Sequence, residues 1–163
     1  MDQLQRGKLI CINGPSFTGK TYFIHRLIDY LRINFPSKSI SSNSFELSYK
    51  KNQTYSHMLK NYREILNNKL LYYNIVISES TVINYDDSLN ILIYLNEELI
   101  RSNFINYIKI FGGEDAIKRN RYFNVRKALD EFDNIYDCKP SYIVRENDYT
   151  NAFKVIGDYV RDK

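Results

Sequence analysis

Gly14, Pro15, Ser16, Phe17, Thr18, Gly19, Lys20 and Thr21 follow the pattern G-x-x-x-x-G-K-[ST], which limits the fold more than any other stretch of the chain. Two glycines let the backbone turn so that successive N–H groups converge on an anion. In this pattern the lysine reaches the β- and γ-phosphates of a nucleotide, and the Ser/Thr hydroxyl takes a position on Mg²⁺. Such a loop needs a strand before it and a helix after it. Lys8-Leu9-Ile10-Cys11-Ile12-Asn13 reads as a short buried strand running into Gly14. Ile24, Leu27, Ile28, Leu31 and Phe35 then recur at helical spacing on one face. The N-terminal dipole of that helix adds to the attraction for an anion. The pattern implies ATP with Mg²⁺, held by Gly14 to Thr21 with Tyr22 counted beside them.

Further along, apolar strand-like and helix-like stretches alternate. Ser37 to Ser44 is polar and loop-like, and Phe45-Glu46-Leu47-Ser48-Tyr49 reads as a short edge strand. Tyr55, Met58, Leu59, Tyr62, Ile65 and Leu66 mark a second amphipathic helix. Leu71 to Ser78 contains a buried strand and Asn90 to Leu95 another, with a helix following from Glu97 to Ile110. Gly112-Gly113 breaks that helix, and a long helix from Glu114 to Tyr136 follows. Ser141 to Val144 is a last strand, and Ala152, Phe153, Ile156, Tyr159 and Val160 share one face of a C-terminal helix. Alternation of this kind implies an α/β fold, a parallel sheet with helices on both faces. Ligands of such sheets bind beyond the carboxyl ends of the strands.

The chain has 163 residues, which suits one domain, 1–163, with one core. A hydrophobic fraction of 44% supports a folded protein, and a net charge of +4 suits an anionic substrate without arguing for nucleic acid by itself. Cys11 and Cys138 lie far apart in sequence and read as reduced thiols. No apolar run approaches the length of a membrane span, so a cytoplasmic protein without membrane partners is expected.

Glu79 follows an apolar strand, where a carboxylate would lie beside the loop and serve Mg²⁺ or accept a hydroxyl proton. Glu46 is a second candidate general base, or a solvated loop acid. Lys118, Arg119, Arg121 and Arg126 gather on the predicted long helix. Its core face, Val125, Leu129, Phe132 and Tyr136, projects N-terminally onto Lys118 and Arg121, so the helix turns cationic where it would arch over triphosphate. Arg119, Arg121 and Arg126 are the candidates to neutralise charge during transfer, in a lid-like segment at about 112–137. Tyr49, Tyr55 and Arg63 lie where an acceptor would dock; Tyr55 also fits a core position.

Together these motifs resemble the thymidylate kinase and deoxynucleoside kinase group of P-loop kinases over nearly the whole chain. The loop from Gly14 to Thr21 looks like theirs, Glu79-Ser80 falls where they carry an acid–Arg pair, and Lys118 to Arg126 resembles their Arg-rich lid. Asn147-Asp148 falls where their loop meets the adenine ring, which makes Asn147 a candidate donor contact. The resemblance implies a three-layer P-loop NTPase fold with a five-stranded parallel sheet of order 2-3-1-4-5, and ATP as phosphoryl donor. Four features depart from the group: Phe17 stands where a glycine is usual, Ser16 where thymidylate kinases often carry an acid, Ser80 where the arginine is expected, and the stretch from Glu79 to Asn90 is shorter. A ring at Phe17, on the outer side of the loop, is expected to reshape the acceptor site.

The leading expectation is ATP-dependent phosphoryl transfer to a nucleoside or nucleoside monophosphate, with a homodimer allowed. Nucleic acid, including a modified base in DNA, is the alternative acceptor, since a shortened wall admits a strand. A P-loop ATPase or switch protein is the alternative from another class. Such a protein carries an acid after its apolar strand, here within Ser78-Glu79.

Overall fold

The computed structural model describes residues 6–15, 17–45, 53–80, 85–111, 140–145 and 148–162, with the side chains of Tyr55 and Phe111 excepted. In chain order the elements are β1 (Lys8–Asn13), α1 (Lys20–Asn34), β2 (Ile40–Ser44), α2 (Tyr55–Tyr72), β3 (Ile75–Ser80), β4 (Ser88–Tyr94), α3 (Glu97–Phe111), β5 (Tyr142–Arg145) and α4 (Tyr149–Arg161). The strands form a five-stranded sheet of order β2-β3-β1-β4-β5. Every pairing is parallel, with Leu9 opposite Val76 on one side of β1 and Ser88 on the other. This is the P-loop NTPase α/β fold.

Side-chain alternation along β1 sends Ile10 and Ile12 to one face and Leu9 and Cys11 to the other. The first pair packs with Phe23, Ile24, Leu27 and Leu31 of α1 and Ala152, Ile156 and Val160 of α4. The second packs with Met58, Tyr62, Leu66 and Leu70 of α2. Ile100 of α3 packs with Leu92 and Leu95 in a third cluster. The sheet is thus covered on both faces, and the central strands read as continuous apolar runs because neither face meets water. Burial of Cys11 pushes its thiol up to about 11, so it stays a neutral thiol.

Local capping sets the helix starts. The Thr54 hydroxyl accepts the His57 N–H at 3.2 Å to open α2. Asn96 Oδ1 accepts the Leu99 N–H at 3.0 Å ahead of α3, and Glu97 and Glu98 occupy its first turn. At the far end of the sheet Lys8 Nζ donates to the carbonyls of Tyr159 and Asp162, and Tyr159 Oη donates to Leu9 O at 3.1 Å.

Two expectations are corrected. The edge strand is Ile40–Ser44, ahead of the apolar stretch that begins at Phe45. An edge strand needs backbone pairing more than apolar side chains, and β2 obtains it in register with β3, Ile40 opposite Ile75 and Ser44 opposite Glu79. Phe45, expected in the strand, instead turns into the α2 core beside Tyr62, with ring centroids 5.3 Å apart. Glu79 and Ser80 are the last two residues of β3 rather than the loop beyond it. No described helix is long and apolar enough to cross a membrane.

Candidate active site

The carboxyl edge of the sheet is where β1 gives way to the loop. Gly14 has φ 153°, and a Cβ there would lie 2.8 Å from the Ile93 carbonyl oxygen, so the crossing of loop over β4 requires glycine. Thr18 Oγ1 donates to Pro15 O at 2.8 Å and braces the turn from within. Gly19, with φ 87°, is the N-cap of α1; no side chain caps this helix and no acid lies in its first turn. Its N-terminal field is left to whatever the loop holds.

Lys20 is buried, and its ammonium donates to the Gly14 carbonyl across the mouth of the loop. Thr21 Oγ1 donates to Glu79 Oε1 at 2.9 Å, joining the start of α1 to the end of β3. The register explains the meeting: Glu79 lies opposite Ile12, one residue before β1 ends. One place further, Ser80 Oγ donates to Asn13 Oδ1 at 2.7 Å, with both residues buried. Ser78 is buried on the α2 side, 2.8 Å from Tyr62 Oη.

Phe17 does what glycine usually does in such a loop. Its φ is 65°, in the left-handed region, at a cost of about 1–2 kcal/mol for a residue with a Cβ. Contacts with α3 hold it there. The ring meets Phe104 and Tyr107 edge-on, at centroid distances of 5.1 and 5.2 Å. Asn103 Nδ2 donates to Phe17 O at 2.8 Å. The ring turns toward β4 and β5, packing with the Leu92, Leu95 and Ile100 cluster.

On that side a cavity of about 660 Å³ opens off Gly19, with Tyr22 and Tyr149 on one wall and Asn103, Asn106 and Tyr107 of α3 on the other. The rings of Tyr22 and Tyr149 lie 6.0 Å apart. Burial, with the neighbouring Tyr22 adding to it, raises the Tyr149 phenol above its ordinary value. The phenol is protonated at neutral pH and offers an aromatic face with a polar tip.

Among the described residues no group of three His, Cys, Asp or Glu side chains could hold a metal. Thr21 and Glu79 are hard oxygen donors of the kind Mg²⁺ takes alongside water and phosphate, so the residues fit that ion in company with a nucleotide.

Of the residues singled out from sequence, Gly14, Pro15, Phe17, Thr18, Gly19, Lys20, Thr21, Tyr22 and Glu79 gather at this edge. Arg63 does not. Its Nη2 lies 2.7 Å from Asp87 Oδ2, and its guanidinium covers the Tyr85 ring at 4.2 Å. Asp87 precedes β4, at the sheet end opposite the loop, so an acceptor role for Arg63 has no geometric basis. Ser16, Glu46, Tyr49, Lys118, Arg119, Arg121, Arg126 and Asn147 lie outside the described residues, as does the side chain of Tyr55. The α3 wall was missed from sequence. Its signal was present in Asn103 and Asn106, polar residues one turn apart beside the apolar stripe of α3.

Fold and loop together define a P-loop NTPase fold. No family model matches the sequence, and no curated protein does. Among solved structures, the crystal structure of APE1195 superposes with a TM-score of 0.56 at 16% identity, covering 98% of both chains. The thymidylate kinase of Ehrlichia chaffeensis superposes with a TM-score of 0.52 at 14% identity, covering 93% of this chain and 99% of its own.

Proposed function

We propose that the protein is an ATP-dependent kinase of the thymidylate and deoxynucleoside kinase type, acting on a nucleoside or nucleoside monophosphate. The observation that carries this reading is the contact between Thr21 Oγ1 and Glu79 Oε1 at 2.9 Å, beside the buried Lys20 ammonium. It puts a cation for the phosphates, a hydroxyl for a metal and a carboxylate for an acceptor proton at one point.

Lys20 exchanges the Gly14 carbonyl for the β- and γ-phosphates, while the loop glycines let the backbone approach them. The donor base lies in the cavity off Gly19, against Tyr22 and Tyr149. Thr21 and Glu79 would hold Mg²⁺, which would supply charge neutralisation to the phosphates. Glu79 faces the acceptor from β3 and takes or orients its hydroxyl proton. Arg119, Arg121 and Arg126 are assigned from sequence to close over the γ-phosphate.

Release of ADP on mixing the protein with ATP, Mg²⁺ and each deoxynucleoside or monophosphate tests the reading. Stimulation by at least one acceptor is expected; hydrolysis indifferent to all of them would leave an ATPase or switch instead. The short link between Ser80 and Ser88 favours a second reading, transfer to a hydroxyl on a polynucleotide. Labelling of oligonucleotides from γ-labelled ATP, with no labelling of small acceptors, would select it.

A further inference from the structure

The cavity beside the loop is more specific than a slot for a ring. Helix α3 is fastened to the loop at Phe17, through the Asn103 hydrogen bond of 2.8 Å and the ring contacts with Phe104 and Tyr107. Its position relative to any bound phosphate is thereby set. Asn103 and Asn106 are three residues apart, on one helical face, and both line the cavity. Asn103 is committed to the loop. The Asn106 carboxamide makes no hydrogen bond to any described residue, and among the described residues no Asp, Glu, Lys or Arg lines the cavity. A neutral, flat, hydrogen-bonding partner is what this wall suits.

We infer that Asn106 reads the edge of the nucleobase of the bound triphosphate; the inference rests on the nucleotide-binding reading of the loop given above. A carboxamide presents an acceptor beside a donor. Adenine offers the complement at its amino group and adjacent ring nitrogen, and guanine at O6 and N1–H. Rotation of the amide about its last bond serves either. Both purines are therefore accepted, and guanine gains no preference because no carboxylate among the described lining residues stands ready for its N1–H and N2–H pair. Replacing the amide with a carboxylate makes the residue acceptor-only, which suits guanine and opposes the adenine ring nitrogen.

The test is equilibrium binding of ATP, GTP and inorganic tripolyphosphate to the full chain, with Asn106→Asp, Asn106→Ala and Lys20→Ala compared with the parent. Tripolyphosphate has no base, so it corrects for the added charge of the Asp variant. The parent should bind ATP and GTP within about threefold of each other, and Asn106→Asp should move the ratio about tenfold or more toward GTP. Asn106→Ala should weaken both nucleotides about fivefold and leave tripolyphosphate unchanged. If neither Asn106 variant changes either nucleotide while tripolyphosphate binding depends on Lys20, the role of Asn106 is overturned and the loop assignment stands. If tripolyphosphate fails to bind, or binds equally to Lys20→Ala, the loop assignment falls and takes this inference with it.

Discussion

The two halves of the sheet's carboxyl edge are finished by different means. Toward β4 and β5 the construction is backbone and aromatic: positive φ at Gly14, Phe17 and Gly19, a ring locked against α3, and a cavity walled by tyrosines. Toward β2 and β3 it consists of uncharged hydrogen bonds, Ser80 to Asn13 and Ser78 to Tyr62, with Glu79 as the acid between them. The first half is braced by its own contacts, the Phe17 ring against α3 and Thr18 against Pro15. The second can change hydrogen-bond partners without stranding a buried charge, which suits the neutral hydroxyl acceptor proposed for it. Ser80 illustrates the difference: it ends β3 with a small buried hydroxyl bonded to Asn13.

The sharpest way to break this comparison is at Lys20. Lys20→Ala should cut phosphoryl transfer by about 10³-fold or more while the far-ultraviolet circular dichroism stays unchanged. Full turnover in that variant would remove the donor assignment for the whole β1–β4 side. Next, Glu79→Gln keeps a partner for Thr21 but removes the charge. A fall in kcat of about 10²-fold, with nucleotide affinity in the absence of Mg²⁺ little altered, is expected from loss of a general base or metal oxygen. An unchanged kcat would make the β3 acid structural.

Phe17 permits a finer cut. Phe17→Gly gives up the ring contacts but relieves the backbone; Phe17→Ala gives up the contacts and keeps the left-handed φ. The alanine variant should be the less stable by about 1 kcal/mol in thermal or urea unfolding, and the reverse order would show that the loop relaxes freely. The smallest effect is expected far from both halves. The Arg63 guanidinium hydrogen-bonded to Asp87 holds that carboxyl below its ordinary value, with Arg6 adding a little more. Because the folded pKa is the lower one, the contribution is present above the unfolded carboxyl pKa and disappears as pH falls through the folded pKa. Asp87 is 46% exposed, so Asp87→Asn should cost only about 0.5 kcal/mol at neutral pH, less in acid, with transfer activity unaffected.

Much of the architecture could be read from the residues because β1, β3 and β4 carry apolar runs, Leu9 to Ile12, Ile75 to Ile77 and Ile91 to Ile93, where both faces are buried. The loop was equally legible, since its pattern is local. Strand β2 was not: its sequence, Ile-Ser-Ser-Asn-Ser, carries no apolar signal, and it is a strand because β3 offers it an open edge. The α3 wall of the cavity was hidden for a related reason. Asn103 and Asn106 are ordinary polar residues until α3 folds back against the loop. Arg63 shows the opposite failure, a charge placed by sequence proximity in a site that the antiparallel run of α2 carries away from it.

The bonds from Lys8 to the last turn of α4 also govern the order in which the molecule can assemble. They span 151 and 154 residues of sequence. The central strand, β1, precedes its neighbours β3 and β4 and its α4 cover in the chain, so all of them arrive later. A chain built this way gains little from local contacts early and closes its loops before non-local pairing rewards them. Until α4 docks, Ile10 and Ile12 lack part of their cover, and the growing chain presents an apolar sheet face to its surroundings.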